Sequence, residues 1–252
     1  QHDVYGHVVL GAAQAFFDER LFSKAGELEF EHFEQVGERA YQVYNTPDAG
    51  SWEFRGIAHV HTSSAIMCWA ACDRLAKIAD TVGRADRAQH WHDRAEEIRN
   101  TILDLAWNED RKAFTGAFGR EDLDASVLLM AELGFIDPMD PRYIATGERI
   151  DKELRVGNHV YRYRIEDDFG KPKTAFTACT FWHIDALARI GRIDEARDMF
   201  EAVLATRTRL GLLSEDVETE TSELWGNFPQ TYSMVGIINA AARLSQNWDQ
   251  LV

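Results

Sequence analysis

Apolar residues recur at i, i+3, i+4 and i+7 through most of this chain, strict period-two alternation is scarce, and only five prolines interrupt the pattern. Stripes of that period are buried by packing helix on helix, so the expected fold class is all-α. The period predicts helices at 4–19, 27–44, 58–79, 85–105, 122–132, 141–154, 174–190, 192–208 and 230–246. They come in hairpins, and two of these echo each other. DRLAKIADTVGRADRAQHWHDRAEEI (73–98) and DALARIGRIDEARDMFEAVL (185–204) share Asp-x-Leu-Ala-Lys/Arg-Ile, then Gly-Arg, then a second amphipathic helix. Gly83 and Gly191 read as helix C-caps closing a tight turn.

The echo is irregular in length, which argues against a solenoid of fixed repeat. A ring of helical hairpins fits better. The first helices (4–19, 58–79, 122–132, 174–190, 230–246) are the more apolar, and the second ones (85–105, 192–208) carry a charged stripe. The first set should form the inner layer and the second the solvent-facing layer of a two-layer α/α toroid. All long connections entering inner helices then emerge at one end. These are NTPDAGSWEFRG (45–56), NHVYRYRIEDDFGKP (158–172) and GLLSEDVETETSELWGNFPQ (211–230). The last is about twenty residues without helical period, a length that in a compact domain usually marks a functional loop.

Composition narrows the function. The 252 residues, 45% hydrophobic and 27% charged, suffice for a sizeable core. Against 27 Lys and Arg stand 42 Asp and Glu, a net charge of −15 spread along the chain, which disfavours nucleic acid and anionic membrane as partners. No run of eighteen apolar residues is present to span a bilayer, and no short apolar segment follows a basic start. Cys68, Cys72 and Cys179 sit in apolar helical runs where a thiol packs as a small hydrophobe. A reducing compartment, the cytoplasm, is expected. His59 and His61 with Cys68 and Cys72 lack the close ligand pairs of a zinc-finger pattern, so they read as core packing and no metal site is expected.

Two carboxylates stand out on the expected rim. Glu53 lies beside Trp52 and two residues from Arg55; Glu215 follows Leu212 and Leu213 and precedes Asp216. Cleavage of a glycosidic bond needs one carboxyl group to protonate the leaving oxygen and another to activate water. The aromatic faces of Trp52 and Trp225, and the donors of Arg55, Arg162, Arg164 and Asn227, suit a hydroxyl-rich sugar ring. An acidic, aromatic cleft also suits a peptide-binding or scaffold module.

The segments DVYGHV (3–8), GSWEFRG with HTSSAIMCWAACDR (50–74), LDASVLLM (123–130), YRYRIEDDFG followed by TAFTACTFWHIDALARIGR (161–192), and GLLSEDV with GNFPQTYSMVGIINAA (211–241) carry a resemblance over essentially the whole chain. They resemble the bacterial branch of glycoside hydrolase family 15, which includes glucoamylases and trehalases. The resemblance implies an (α/α)6 catalytic toroid, inversion at the anomeric carbon, and no metal or organic cofactor. Position by position it makes Glu53 the general acid and Glu215 the general base. It makes Trp52 an aromatic wall of the subsite, and either Arg162 or Arg164 the sugar-binding arginine.

On the same resemblance, residues 1–252 form a single domain holding the fourth to twelfth of twelve helices, the C-terminal three quarters of the toroid. The first three helices and an N-terminal β-sandwich domain have no counterpart here. The expected function is release of glucose from an oligosaccharide or disaccharide with α-1,4 bonds or from trehalose. The rival is a truncated, inactive toroid serving as a binding or scaffold module. Self-association through the open toroid edge is also expected.

Overall fold

The computed structural model describes residues 1–18, 20 and 23–245, and it is all-α in class with a few two-residue strands. The ends of the expected first and last helices, at Glu19 and Gln246, lie outside the described residues. The chain forms two compact units, one of Gln1–Asn108 with Thr115–Glu121, the other of Glu109–Phe114 with the residues from Asp122 onward.

The first unit holds α1 (Asp3–Phe17), α2 (Glu27–Val43), α3 (Thr62–Thr81) and α4 (Ala85–Leu105). Helix α3 is apolar or small on nearly every face, and 13 of its 20 residues are buried beneath the other three helices. Helix α4 buries only the stripe Ala88, Trp91, Ala95, Ile98 and Ile102 and keeps its charges outside. The inner and outer assignment of this hairpin follows from that contrast. Helix α2 starts where the Glu29 carboxylate accepts the Gly26 N–H at 2.8 Å, which satisfies an N–H left open at the helix start.

The second unit opens with a 3-10 turn (Ala125–Leu128) running into α5 (Leu129–Glu132), followed by α6 (Pro141–Leu154), α7 (Thr177–Arg189), α8 (Ile193–Ala205) and α9 (Thr231–Leu244). Here α7 is the buried helix, with ten of its 13 residues inside, and α8 covers it with Ala196, Met199 and Val203. Both hairpin turns end as expected. Gly83 at φ 79° and Gly191 at φ 85° take the left-handed conformation that a side chain disfavours, and the residue after each bonds back into the last helical turn.

Three expected helix starts are corrected, each because the backbone is recruited elsewhere. The helix expected from 58 begins at Thr62, since His59 pairs with Asp48 and His61 with Ala117 as isolated β-bridges. The helix expected from 174 begins at Thr177, because Ala175–Phe176 forms one edge of a three-stranded ribbon. The helix expected over 122–132 shrinks to the 3-10 turn and one turn of α5. Asp124 is extended there, and its carboxylate accepts the Ser126 N–H at 2.8 Å as the cap. Helices α1 and α9, expected in the inner layer, bury one face each among the described residues. Val4 and Val8 on α1 and Tyr232, Val235 and Ile238 on α9 remain exposed.

Cys68, Cys72 and Cys179 are free and buried. Burial pushes the Cys72 thiol up to about 12, where it packs rather than reacts. Among the described residues, no helix is long and apolar enough to cross a membrane.

Candidate active site

The sequence-derived residues fall into two groups, one in each unit. In the first unit, the backbones of Asp48 and His59 exchange two hydrogen bonds, of 2.9 and 3.3 Å, which pinch off the loop between α2 and α3. The pinch is anchored by the Asp48 carboxylate, whose Oδ2 accepts the His2 N–H at 2.7 Å and the Ser64 hydroxyl at 2.9 Å. Inside it, Glu53 N–H donates to Gly50 O at 3.2 Å and Phe54 N–H to Ala49 O at 2.9 Å, forming a tight turn. Phe54 is buried and stacks on the His61 ring with centroids 5.4 Å apart and planes 16° apart. Burial lowers the pKa of His61, favouring the neutral ring that this apolar stack suits. At the tip Glu53 is exposed, with φ 58°, a left-handed backbone that is uncommon for a residue with a Cβ. Trp52 beside it is half-buried and Arg55 is exposed.

In the second unit the long segment 211–230 is a hairpin rather than a loop without structure. Asp216–Val217 is the middle strand of the ribbon, pairing antiparallel with Ala175–Phe176 on one side and Leu224–Trp225 on the other. Glu215 continues the middle strand: its N–H donates to Asn227 O at 2.9 Å and its carbonyl accepts the Thr177 N–H at 2.8 Å. Successive strand residues point to opposite faces, so Glu215 and Asp216 diverge. The Glu215 carboxylate is half-exposed. Its Oε2 accepts from the Asn227 backbone N–H at 3.1 Å and from Asn227 Nδ2 at 3.0 Å, and its Oε1 from Gln230 Nε2 at 3.4 Å. The Asp216 carboxylate turns inward, where Oδ2 accepts the Thr174 hydroxyl at 2.8 Å. Burial pushes its pKa up, with the neighbouring charge of Glu215 acting in the same direction.

The two candidate arginines differ in setting. Arg162 is half-buried, with Nη2 3.5 Å from Asp167 Oδ2 and the guanidinium 5.2 Å from the Tyr163 ring centre. Arg164 is exposed and lies 3.6 Å over the Tyr161 ring. Burial works against the Asp167 charge, but the Tyr163 hydroxyl at 2.7 Å and the Phe169 N–H at 2.7 Å outweigh it and hold that carboxyl below its ordinary range. Trp225 is 52% exposed on the ribbon edge, opposite Asp216.

Thus the structure joins Asn227 directly to Glu215, sets Trp225 on the strand beside it, and gathers Trp52, Glu53 and Arg55 on one turn of the other unit. Gln230 and Asp216 are additions. Gln230 stands at the expected start of the last helix, where it is the N-cap, and nothing in its neighbours signals that its side chain reaches Glu215.

The model for glycosyl hydrolases family 15 matches residues 1–242. The chain is 36% identical over 251 residues to a trehalase of Mycobacterium tuberculosis, covering 97% of this chain and 36% of that protein. It is 38% identical over 210 residues to a trehalase of Mycolicibacterium smegmatis, covering 82% of this chain and 31% of that protein. A solved wild-type glycosidase superimposes with a TM-score of 0.78 at 18% identity, covering 97% of this chain and 67% of that one, and so shares the fold. The chain belongs to glycosyl hydrolase family 15. It spans about a third of the length of the two trehalases.

Proposed function

We propose that this chain contributes the helical, carboxylate-bearing part of an inverting hydrolase that releases glucose from α-glucosides, with trehalose as the leading substrate and α-1,4-linked maltodextrins as the second. The observation that carries the reading is the presentation of Glu215: a half-exposed carboxylate gripped from one side by N–H donors, with its remaining lone pairs open. Trehalose comes first in this reading because the two mycobacterial relatives are named trehalases.

Glu53 acts as the acid. Its carboxyl O–H protonates the glycosidic oxygen as the C1–O bond breaks, leaving a carboxylate. A water on the opposite face attacks C1 and gives its proton to Glu215, so the products are β-glucose and the freed hydroxyl of the second sugar. Proton exchange with solvent resets both groups. Inversion in general requires about 6.5–9.5 Å between acid and base, the spacing that leaves room for the water. Trp52 and Trp225 supply flat apolar faces, and Arg55, Arg162 and Arg164 supply donors for hydroxyl groups. The three buried thiols suit a reducing compartment, and we place the protein in the cytoplasm.

The test is glucose release from trehalose, maltose and maltodextrin by the full-length protein, with the first anomer followed by NMR. β-Glucose from at least one of them is expected. Inversion gives β-glucose first from maltodextrin and equal amounts of α- and β-glucose from trehalose, whose leaving sugar keeps its α centre; α-glucose first from maltodextrin, or α-glucose alone from trehalose, would overturn inversion, and no release by a folded wild-type protein would favour a scaffold module.

A further inference from the structure

The segment from Gly226 to Gln230 folds over the Glu215 carboxylate. A Cβ built on Gly226, which has φ 79°, would come within 2.7 Å of Glu215 Oε2 and 3.0 Å of Glu215 Cβ, so the backbone passes as close as a glycine permits. Two further bonds fix that path: Glu215 N–H to Asn227 O at 2.9 Å, and Gln230 N–H to Leu213 O at 3.0 Å. The side-chain donors act within this frame. Oε2 has two lone pairs and receives two N–H groups, both from Asn227, at 3.1 and 3.0 Å. Oε1 receives one, from Gln230 at 3.4 Å, which is long for such a bond and leaves a lone pair unused.

We propose that Asn227 and Gln230 are positioning residues that hold the Glu215 carboxylate in one orientation, and that Oε1 is the atom that takes the proton from water. This rests on the reading of Glu215 as the base. It also moves Asn227 out of the sugar-binding set, because its Nδ2 and backbone N–H converge on the same carboxylate oxygen. A carboxylate held firmly at Oε2 by Asn227 and steadied at Oε1 by the longer Gln230 bond keeps the remaining lone pair of Oε1 in a fixed place. That fixed place is what a general base needs, since misplacement by about 1 Å lowers a rate on the order of 100-fold.

The experiment pairs kinetics with a readout independent of turnover. In the full-length enzyme, Asn227→Ala and Gln230→Met should each lower kcat, by on the order of 10-fold, with KM within about twofold, and Asn227→Ser should recover part of the loss because its hydroxyl can donate. In amide spectra of the protein, Glu215→Ala should shift the side-chain NH2 resonances of both Asn227 and Gln230. A raised KM with kcat intact would overturn the proposal, returning Asn227 to substrate binding. Unmoved side-chain resonances would also overturn it. If wild-type protein cleaves no glucoside, the base reading fails by itself, while the spectra still decide whether the two amides hold Glu215.

Discussion

His183 Nε2 lies 2.9 Å from Asp151 Oδ1 and ties the buried helix α7 to α6 through a histidine that is 1% exposed. Arg155 reaches the same carboxylate at 2.8 Å and Glu195 on α8 at 3.2 Å, so three helices share one polar junction. The His183 hydrogen bond, with help from Arg155 and against the effect of burial, holds the Asp151 carboxyl well below the ordinary range. A depressed carboxyl contributes stability that is present above its unfolded pKa of about 3.9 and lost as pH falls below it. Asp151→Ala should therefore lower stability at pH 7 by about 2 kcal/mol, since it also strips a buried histidine of its acceptor. The gap from wild type should narrow below about pH 4. Urea unfolding of both proteins at pH 7 and pH 3.5 measures this, and a gap that widens in acid would contradict it.

Gly191 turns the chain from α7 into α8 at φ 85°, and an added Cβ would meet nothing within 4 Å. Any effect of Gly191→Ala is then a backbone effect. It should destabilise by about 1 kcal/mol, lowering the urea midpoint at constant m.

Gly226 is the opposite case, because there the added methyl has no room. Gly226→Ala should displace Glu215 and lower kcat by on the order of 100-fold in the full-length enzyme. Its melting temperature should fall by only a few degrees, since the segment is exposed. Retained activity with an intact fold would break the link between this backbone path and the carboxylate.

The exposed face of α9 bears Tyr232 at 68% and Ile238 at 67% exposure with Val235 between them. Apolar area left open favours association at about 25 cal/mol per Å² covered. Residues 1–252 expressed alone should self-associate, and the double change Tyr232→Lys and Ile238→Lys should reduce this. Sedimentation velocity decides: a wild-type chain that stays monomeric across a hundredfold concentration range would refute the expectation.

In the proposed reaction the two carboxylates differ in how their loss depends on the leaving group. Glu53→Gln should lose most activity on trehalose or maltose yet keep more on an activated aryl α-glucoside, which needs little protonation. Glu215→Gln should fail on both and regain part of its rate with azide. The reverse pattern would exchange the two roles.

The helices were legible because each buries a stripe whose period is local. The caps at Gly83 and Gly191 were legible for the same reason, as a single residue type does the work. The starts at 58, 122 and 174 were not. At each start a bond from outside the helix intervenes: Asp48 to His59 eleven residues on, Arg162 O to Ala125 N–H beside the local Asp124 cap, and Val217 to Ala175. Periodicity carries no trace of such partners. The site divides the same way. Trp-Glu and Leu-Ser-Glu mark Glu53 and Glu215 in the sequence, but the amides that grip Glu215 come from 12 and 15 residues downstream, brought back by a ribbon with only two residues per strand.

That ribbon also fixes where evolution and engineering have room to change the chain. Between the paired strands, Glu218–Glu223 closes on itself: the Glu218 carboxylate accepts the N–H groups of Glu220 and Thr221 at 2.9 and 2.7 Å. Insertions at this tip leave the pairing of Asp216 with Trp225 intact and are absorbed as a longer turn. A single deletion between Trp225 and Gln230 has no such outlet. It moves the Asn227 N–H off the carboxylate, so chain length there is as constrained as residue identity.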